Sequence, residues 1–102
     1  MQVIFKTLEL EDLYLIPVDN IKGKLPFQKS VIQQYKNRVT LLQSIEKIAD
    51  LYSYKSLHFE KLKGLRTGQS SIRINDQYRL IIEQIKFEVV KILIVEISKH
   101  YE

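Results

Sequence analysis

The sequence predicts an α+β fold: a small, mostly antiparallel sheet with two N-terminal helices packed on one of its faces. Three observations predict it. A short alternating stretch opens the chain, a long amphipathic run follows, and the last third alternates apolar and polar residues in strand-length blocks. With 102 residues there is room for one domain, spanning 1–102, around a single modest core. Apolar and charged fractions of 45% and 27% are those of an ordinary folded domain.

The elements follow in order. Gln2–Lys6 alternates, with Val3 and Phe5 opposite Ile4, and reads as a strand. Leu8–Ile16 reads as a short helix with Leu8, Leu13 and Ile16 on its apolar face and Glu9, Glu11 and Asp12 near its start. Pro17 ends it, because a proline pushes the preceding residue out of helical geometry. Val18–Leu25 reads as a loop. Pro26–Tyr54 is expected to be one long helix, since Val31, Tyr35, Val39, Leu42, Ile45, Ala49 and Tyr52 recur at spacings of three and four. Ser70–Asn75 and Gln77–Glu83 read as a hairpin turning near Asn75-Asp76. Val90–Ser98 reads as an interior strand, with Val90, Ile92, Ile94 and Glu96 on one side and Lys91, Leu93, Val95 and Ile97 on the other.

Composition excludes several functions. There is no cysteine, so disulfides, thiolate metal sites and cysteine nucleophiles are ruled out. The two histidines share no metal-ligand spacing, and neither a metal site nor a cofactor is expected. No apolar run approaches the roughly 18 residues that span a bilayer. The first residues carry acids and no small-residue cleavage site, unlike a signal peptide. A cytoplasmic protein without membrane contact is expected.

Charge is the informative feature. The formal net charge is +4, and the segment Lys55–Arg79 alone carries that excess, with six basic residues against Glu60 and Asp76. Clustered positive charge favours a polyanion or an acidic partner. Alternation puts Ser71 and Arg73 on one side of their strand and Ile72 and Ile74 on the other. Arg73 and Arg79 then share the face that the helices leave open, where paired guanidinium donors suit a phosphate. Lys61, Lys63 and Arg66 would border them. The same residues also suit a solvated sheet face.

The last strand delivers Lys99, His100 and Tyr101 to one end of the sheet. His100 and Tyr101 can move protons, and Lys99 can stabilise a developing negative charge. The same residues also suit a frayed tail. His58, between Leu57 and Phe59, reads as a partly buried structural histidine. Together the set fits RNA cleavage by attack of a 2′-hydroxyl on the adjacent phosphorus. That reaction needs a base, cations for the phosphorane and an acid for the leaving 5′-oxygen.

The string Leu62-Lys63-Gly64, then Arg66 and Gly68, then Ser71-Ile72-Arg73-Ile74-Asn75-Asp76-Gln77-Tyr78-Arg79-Leu80, resembles the HigB toxins of bacterial type II toxin–antitoxin modules, in the RelE/ParE superfamily. The end of the chain, from Val95 to Tyr101, and the long helix fit the same family. The resemblance implies a RelE-like β-α-α-β-β-β fold and a ribosome-dependent endoribonuclease that cuts translated mRNA. It also implies a cognate helix-turn-helix, HigA-like antitoxin as partner, beside the ribosome and mRNA. It carries over Lys63 as a phosphate contact and Arg79 as the strand arginine, with Arg73 near a basic position of RelE-like relatives. The family commonly ends Asp-Tyr-His, whereas this chain has Lys99-His100-Tyr101. The catalytic set expected is therefore Arg73, Arg79, Lys99, His100 and Tyr101, with Lys61, Lys63 and Arg66 binding RNA. Two alternatives stand beside it: a gyrase-binding toxin of the ParE type, and a catalytically inactive module that binds RNA or a partner.

Overall fold

The computed structural model describes residues 1–86 and 88–99. Strand β1 is Gln2–Phe5. Helix α1, Leu8–Leu15, begins at Thr7, whose hydroxyl oxygen accepts from the Leu10 N–H at 3.2 Å. Ile16, extended ahead of Pro17, ends it. Its buried side is Leu13, with Leu10 and Tyr14 packed alongside, whereas Leu8, expected inward, is 70% exposed. The following loop contains a single 3-10 turn, Val18–Asn20.

Helix α2 is Lys29–Ser44, shorter at both ends than the predicted Pro26–Tyr54. Ile45 has an extended backbone. The Asp50 carboxylate then accepts from the Glu46 and Lys47 N–H groups at 3.2 Å each, which starts a separate 3-10 turn at Ile48–Ser53. The Met1 amino group donates to the carbonyls of Leu42, Gln43 and Ile45, so acceptors left over where α2 stops are satisfied. Apolar spacing runs straight through this break, which is why periodicity did not reveal it. Val31, Tyr35, Val39, Leu42 and Ile45 are buried as predicted, while Ala49 and Tyr52 beyond the break are exposed. A further 3-10 turn, Lys55–Leu57, leads to His58, which is exposed in a left-handed backbone conformation (φ 47°) and not the partly buried residue expected.

The sheet has five strands: β1, then β2 at Glu60–Lys61, β3 at Gln69–Arg73, β4 at Tyr78–Lys86 and β5 at Val90–Lys99. Their spatial order is β1-β5-β4-β3-β2, with β1 parallel to β5 and the other pairs antiparallel. The sequence reading assigned no strand at β2. The β3–β4 turn is held by the Asn75 side chain, whose Oδ1 accepts from the Gln77 and Tyr78 N–H groups at 2.8 and 2.9 Å. Ile72, Ile74, Leu80, Ile82, Ile92 and Ile94 form the helix-covered face and pack with the buried residues of α2. Full burial of each such side chain stabilises by about 1.5–3 kcal/mol, set against the entropy of ordering it. Lys36 links the two helices by donating to the Tyr14 and Ile16 carbonyls at 2.8 and 2.6 Å.

One irregularity matters for the open face. Ile81 pairs with Glu96 and Ile82 with Ile94, so Val95 is an extra residue, a β-bulge. Strict alternation put Glu96 with Ile92 and Ile94. The bulge instead turns Glu96 to the open face and Ile97 toward the core.

Candidate functional site

Cross-strand partners project to the same side of a sheet, so the register defines what the open face presents. One row runs Arg73–Arg79–Ser98 across β3, β4 and β5. The next runs Glu60–Ser71–Ile81–Glu96, beginning on β2. Over these rows lies a cavity of about 280 Å³ lined by Glu60, Leu62, Arg66, Ser71, Arg79, Ile81, Ser98 and Lys99.

Arg79 is its central cation. The side chain is half-buried, and its Nη1 is shielded from solvent with no hydrogen-bond partner among the described residues. A buried donor left unsatisfied costs about 1–3 kcal/mol, so an acceptor arriving in this cavity has a prepared donor to meet. Arg79 and Lys99 form no ion pair among the described residues. Arg66 is differently placed. Its guanidinium donates to Glu96 at 3.0 Å and to Gln69 at 2.9 Å, which holds it at the rim.

The remaining expected residues are dispersed around this centre. Arg73 is the direct register partner of Arg79, but it does not line the cavity and its guanidinium is paired with the exposed Asp76. Its carbonyl accepts from Arg38 Nε at 2.8 Å. Burial first, and the neighbouring Arg73 charge second, depress the Arg38 pKa below its ordinary value. Lys61 alternates with Glu60 and lines a different hollow, with Ile48, Ile82 and Lys86 on the helix-bearing side. Lys63 is exposed and lines neither hollow. Gly64 and Gly68, at φ 66° and 95°, turn the chain so that Arg66 comes back over the sheet. His100 and Tyr101 lie outside the described residues.

One member of the site, Glu60, was given no role from the sequence. Among the described residues Glu60 is the one carboxylate lining the cavity besides the arginines and lysine, and Ser71, which alternation placed with Arg73 on this face, is a buried hydroxyl beside it. The signal for Glu60 lies in the β2–β3 register, which two residues of strand are too few to announce. Among the described residues no group of three or more His, Asp or Glu side chains could hold a metal ion, and no helix is long and apolar enough to cross a membrane.

Comparison with known proteins gives the following. A family model for HigB-like toxins, described as the RelE-like toxin of the type II toxin–antitoxin system HigB, matches residues 5–97. No curated protein matches the chain. Among solved structures, a YoeB/ParE toxin from Agrobacterium tumefaciens aligns over 99% of this chain and 100% of its own, with a TM-score of 0.57 and 14% identity. At that identity the likeness concerns the fold.

Proposed function

The chain belongs to the family of HigB-like toxins, RelE-like toxins of type II toxin–antitoxin systems, and on that footing we propose that it is an endoribonuclease whose open sheet face binds and cleaves an RNA phosphodiester. The observation that carries this reading is Arg79: a guanidinium nitrogen buried without a partner among the described residues, in a cavity that also holds Lys99 and Glu60. A phosphate oxygen would satisfy that donor.

The chemistry follows from the residues. A base takes the proton of the 2′-hydroxyl, and that oxygen attacks the adjacent phosphorus. The pentacoordinate intermediate spreads negative charge over its non-bridging oxygens, where Arg79 and Lys99 stabilise it. The bond to the 5′-oxygen breaks, an acid protonates the leaving oxygen, and the products are a 2′,3′-cyclic phosphate and a free 5′-hydroxyl. Glu60, facing the same cavity, is the group we assign as proton acceptor. His100 and Tyr101, which follow Lys99 directly in the chain, are proposed to supply the leaving-group proton. Arg66 at the cavity rim and Arg73 just outside it are each tied to a carboxylate that an incoming phosphate would displace. Lys61 and Lys63, farther out, are proposed to contact flanking RNA.

So small a set of proton-transfer groups relies on an external scaffold to orient the substrate, which supports a translated mRNA held on the ribosome. Family membership implies an antitoxin partner, which we take to be of the HigA-like helix-turn-helix type, and action in the cytoplasm. It does not favour the gyrase-binding alternative. Induced expression with mapping of mRNA 5′ ends is the test. The native chain should create new ends within translated frames, and Arg79→Ala should abolish them at equal protein level. New ends undiminished in the variant would overturn the assignment.

A further inference from the structure

Strand β5 outlasts its neighbour. Phe5, the last residue of β1, pairs with Ile94, and the last bond between the two segments runs from the Lys6 N–H to the Ile94 carbonyl at 2.9 Å. Thr7 then starts α1 and carries the chain away from the sheet. Beyond Ile94, β5 keeps its pairing with β4 through Leu80↔Ile97, Arg79↔Ser98 and Tyr78↔Lys99. On the side of β1, Glu96–Lys99 has no strand among the described residues. Such an edge is a template for another strand.

The space where β1 would have continued is a groove. A hollow of about 270 Å³ lies there, lined by Thr7, Leu10, Leu13, Phe27, Val95 and Ile97 among others. A second hollow of about 500 Å³ shares Glu9, Leu13 and Pro26 with the first and extends along α1 past Ile16 to Ile21. An apolar trench therefore runs beside an open strand edge.

Its charge is opposite to that of the molecule. Helix α1 carries Glu9, Glu11 and Asp12 and no basic residue, in a chain of net charge +4. Glu9 and Asp12 line the trench, and among the described residues Lys22 is the one base that does so. Glu96 at its end is already paired with Arg66. Phosphate is repelled by such a rim, so this is no extension of the RNA surface.

We propose that this trench is a protein-docking site that takes an extended segment alternating apolar and basic residues. The segment adds to the sheet beside Glu96–Lys99. Its apolar side chains fill the trench against Leu10, Leu13 and Phe27, and its basic side chains meet Glu9 and Asp12. Backbone pairing supplies affinity in such strand addition, and the alternate side chains supply selectivity. The site does not depend on the nuclease reading: its trench residues Leu10, Leu13, Phe27, Glu9 and Asp12 are none of the cavity's, and it shares with the cavity only Ser98 and Lys99 at the strand edge.

The test uses the full chain, labelled for amide NMR, and two acetylated seven-residue peptides, one alternating lysine with valine and one alternating glutamate with valine. The lysine peptide should perturb the amides of Val95–Ser98 and of Leu10 and Leu13, and slow amide exchange at the β5 edge. Glu9→Lys combined with Asp12→Lys should weaken it about tenfold, the effect of two partly exposed ion pairs reversed. Arg79→Ala should leave it unchanged. Both acids are exposed, so a melting curve suffices to confirm that the double variant folds. Equal binding of the glutamate peptide, perturbation centred on Arg66 and Arg79 or on the Glu60–Lys61 edge, or no binding at millimolar peptide would each overturn the proposal. So would self-association in sedimentation that the β5 edge mediates, which would make a second copy the occupant.

Discussion

Replacing Arg79 by lysine separates charge from geometry. Lysine keeps a cation in the cavity but loses the planar paired donors and the buried Nη1. Arg79→Lys should lower single-turnover cleavage of ribosome-bound mRNA by about a hundredfold, the scale of losing one preorganised donor at a developing charge. Stability in urea should not fall, because the nitrogen removed is one the described residues leave unpaired. Near-native cleavage would show that charge alone matters there. Tyr35 illustrates the opposite kind of residue, polar yet wholly structural. It is fully buried and its hydroxyl donates to the Leu10 carbonyl at 2.7 Å, joining α2 to α1. Burial, with a smaller contribution from Tyr14, raises its pKa well above the ordinary value near 10. The folded chain thus keeps this proton at pH values where the unfolded chain releases it. Stability from Tyr35 is complete below pH 10 and declines as the pH rises beyond it. Tyr35→Phe should cost about 1–2 kcal/mol at neutral pH, because the carbonyl is left without its donor, and should flatten that alkaline decline. Urea unfolding at neutral and strongly alkaline pH measures both, and an unchanged alkaline slope would refute the assignment.

Elements were legible in proportion to how local their causes are. Strand β1, helix α1 with its stop before Pro17, and the Asn75 hairpin follow from alternation, proline sterics and one side chain's hydrogen bonds. The end of α2 was not legible. It depends on Asp50 reaching back to Glu46 and Lys47, and on the Met1 amino group meeting carbonyls some 42 residues along the chain. The bulge at Val95 was hidden for a related reason: it belongs to the β4–β5 register, and β5 is apolar on both sides. Asp50→Ala tests this account of the break. It removes the acceptor for two backbone N–H groups and should cost about 1 kcal/mol, the usual loss for a cap. Since Ile45 remains buried, the 3-10 turn should fray without the core rearranging. Urea titration gives the cost, and amide exchange at Glu46 and Lys47 locates it. Unaltered exchange there would mean that the carboxylate does not hold the turn.

At the scale of the whole molecule the sheet divides two labours. One face is covered by helices and holds the core, and the other gathers charged side chains around Ser71 and Ile81. Sequence alternation foretold that division and the pairing of Arg73 with Arg79 on the open face. It could not foretell which cations remain available, because that depends on carboxylates brought in from elsewhere: Glu96 by the bulge to Arg66, and Asp76 by the turn to Arg73. Salt dependence reads out the difference. If Arg79 and Lys99 are the contacts to a single-stranded RNA, the logarithm of its association constant should fall with the logarithm of salt at a slope of about −1.4, near −0.7 per cation. Glu96→Gln removes the negative charge opposite Arg66, while the paired side chains there are only half exposed, at 41% and 44%. The freed guanidinium should raise affinity by roughly two- to fivefold, the range of a partly exposed ion pair, and steepen the slope toward −2 as a third cation engages. Fluorescence anisotropy with a short unstructured RNA across a salt series measures both quantities. A slope that stays put in Glu96→Gln would place Arg66 outside the RNA's reach, and a native slope near zero would remove phosphate from the open face altogether.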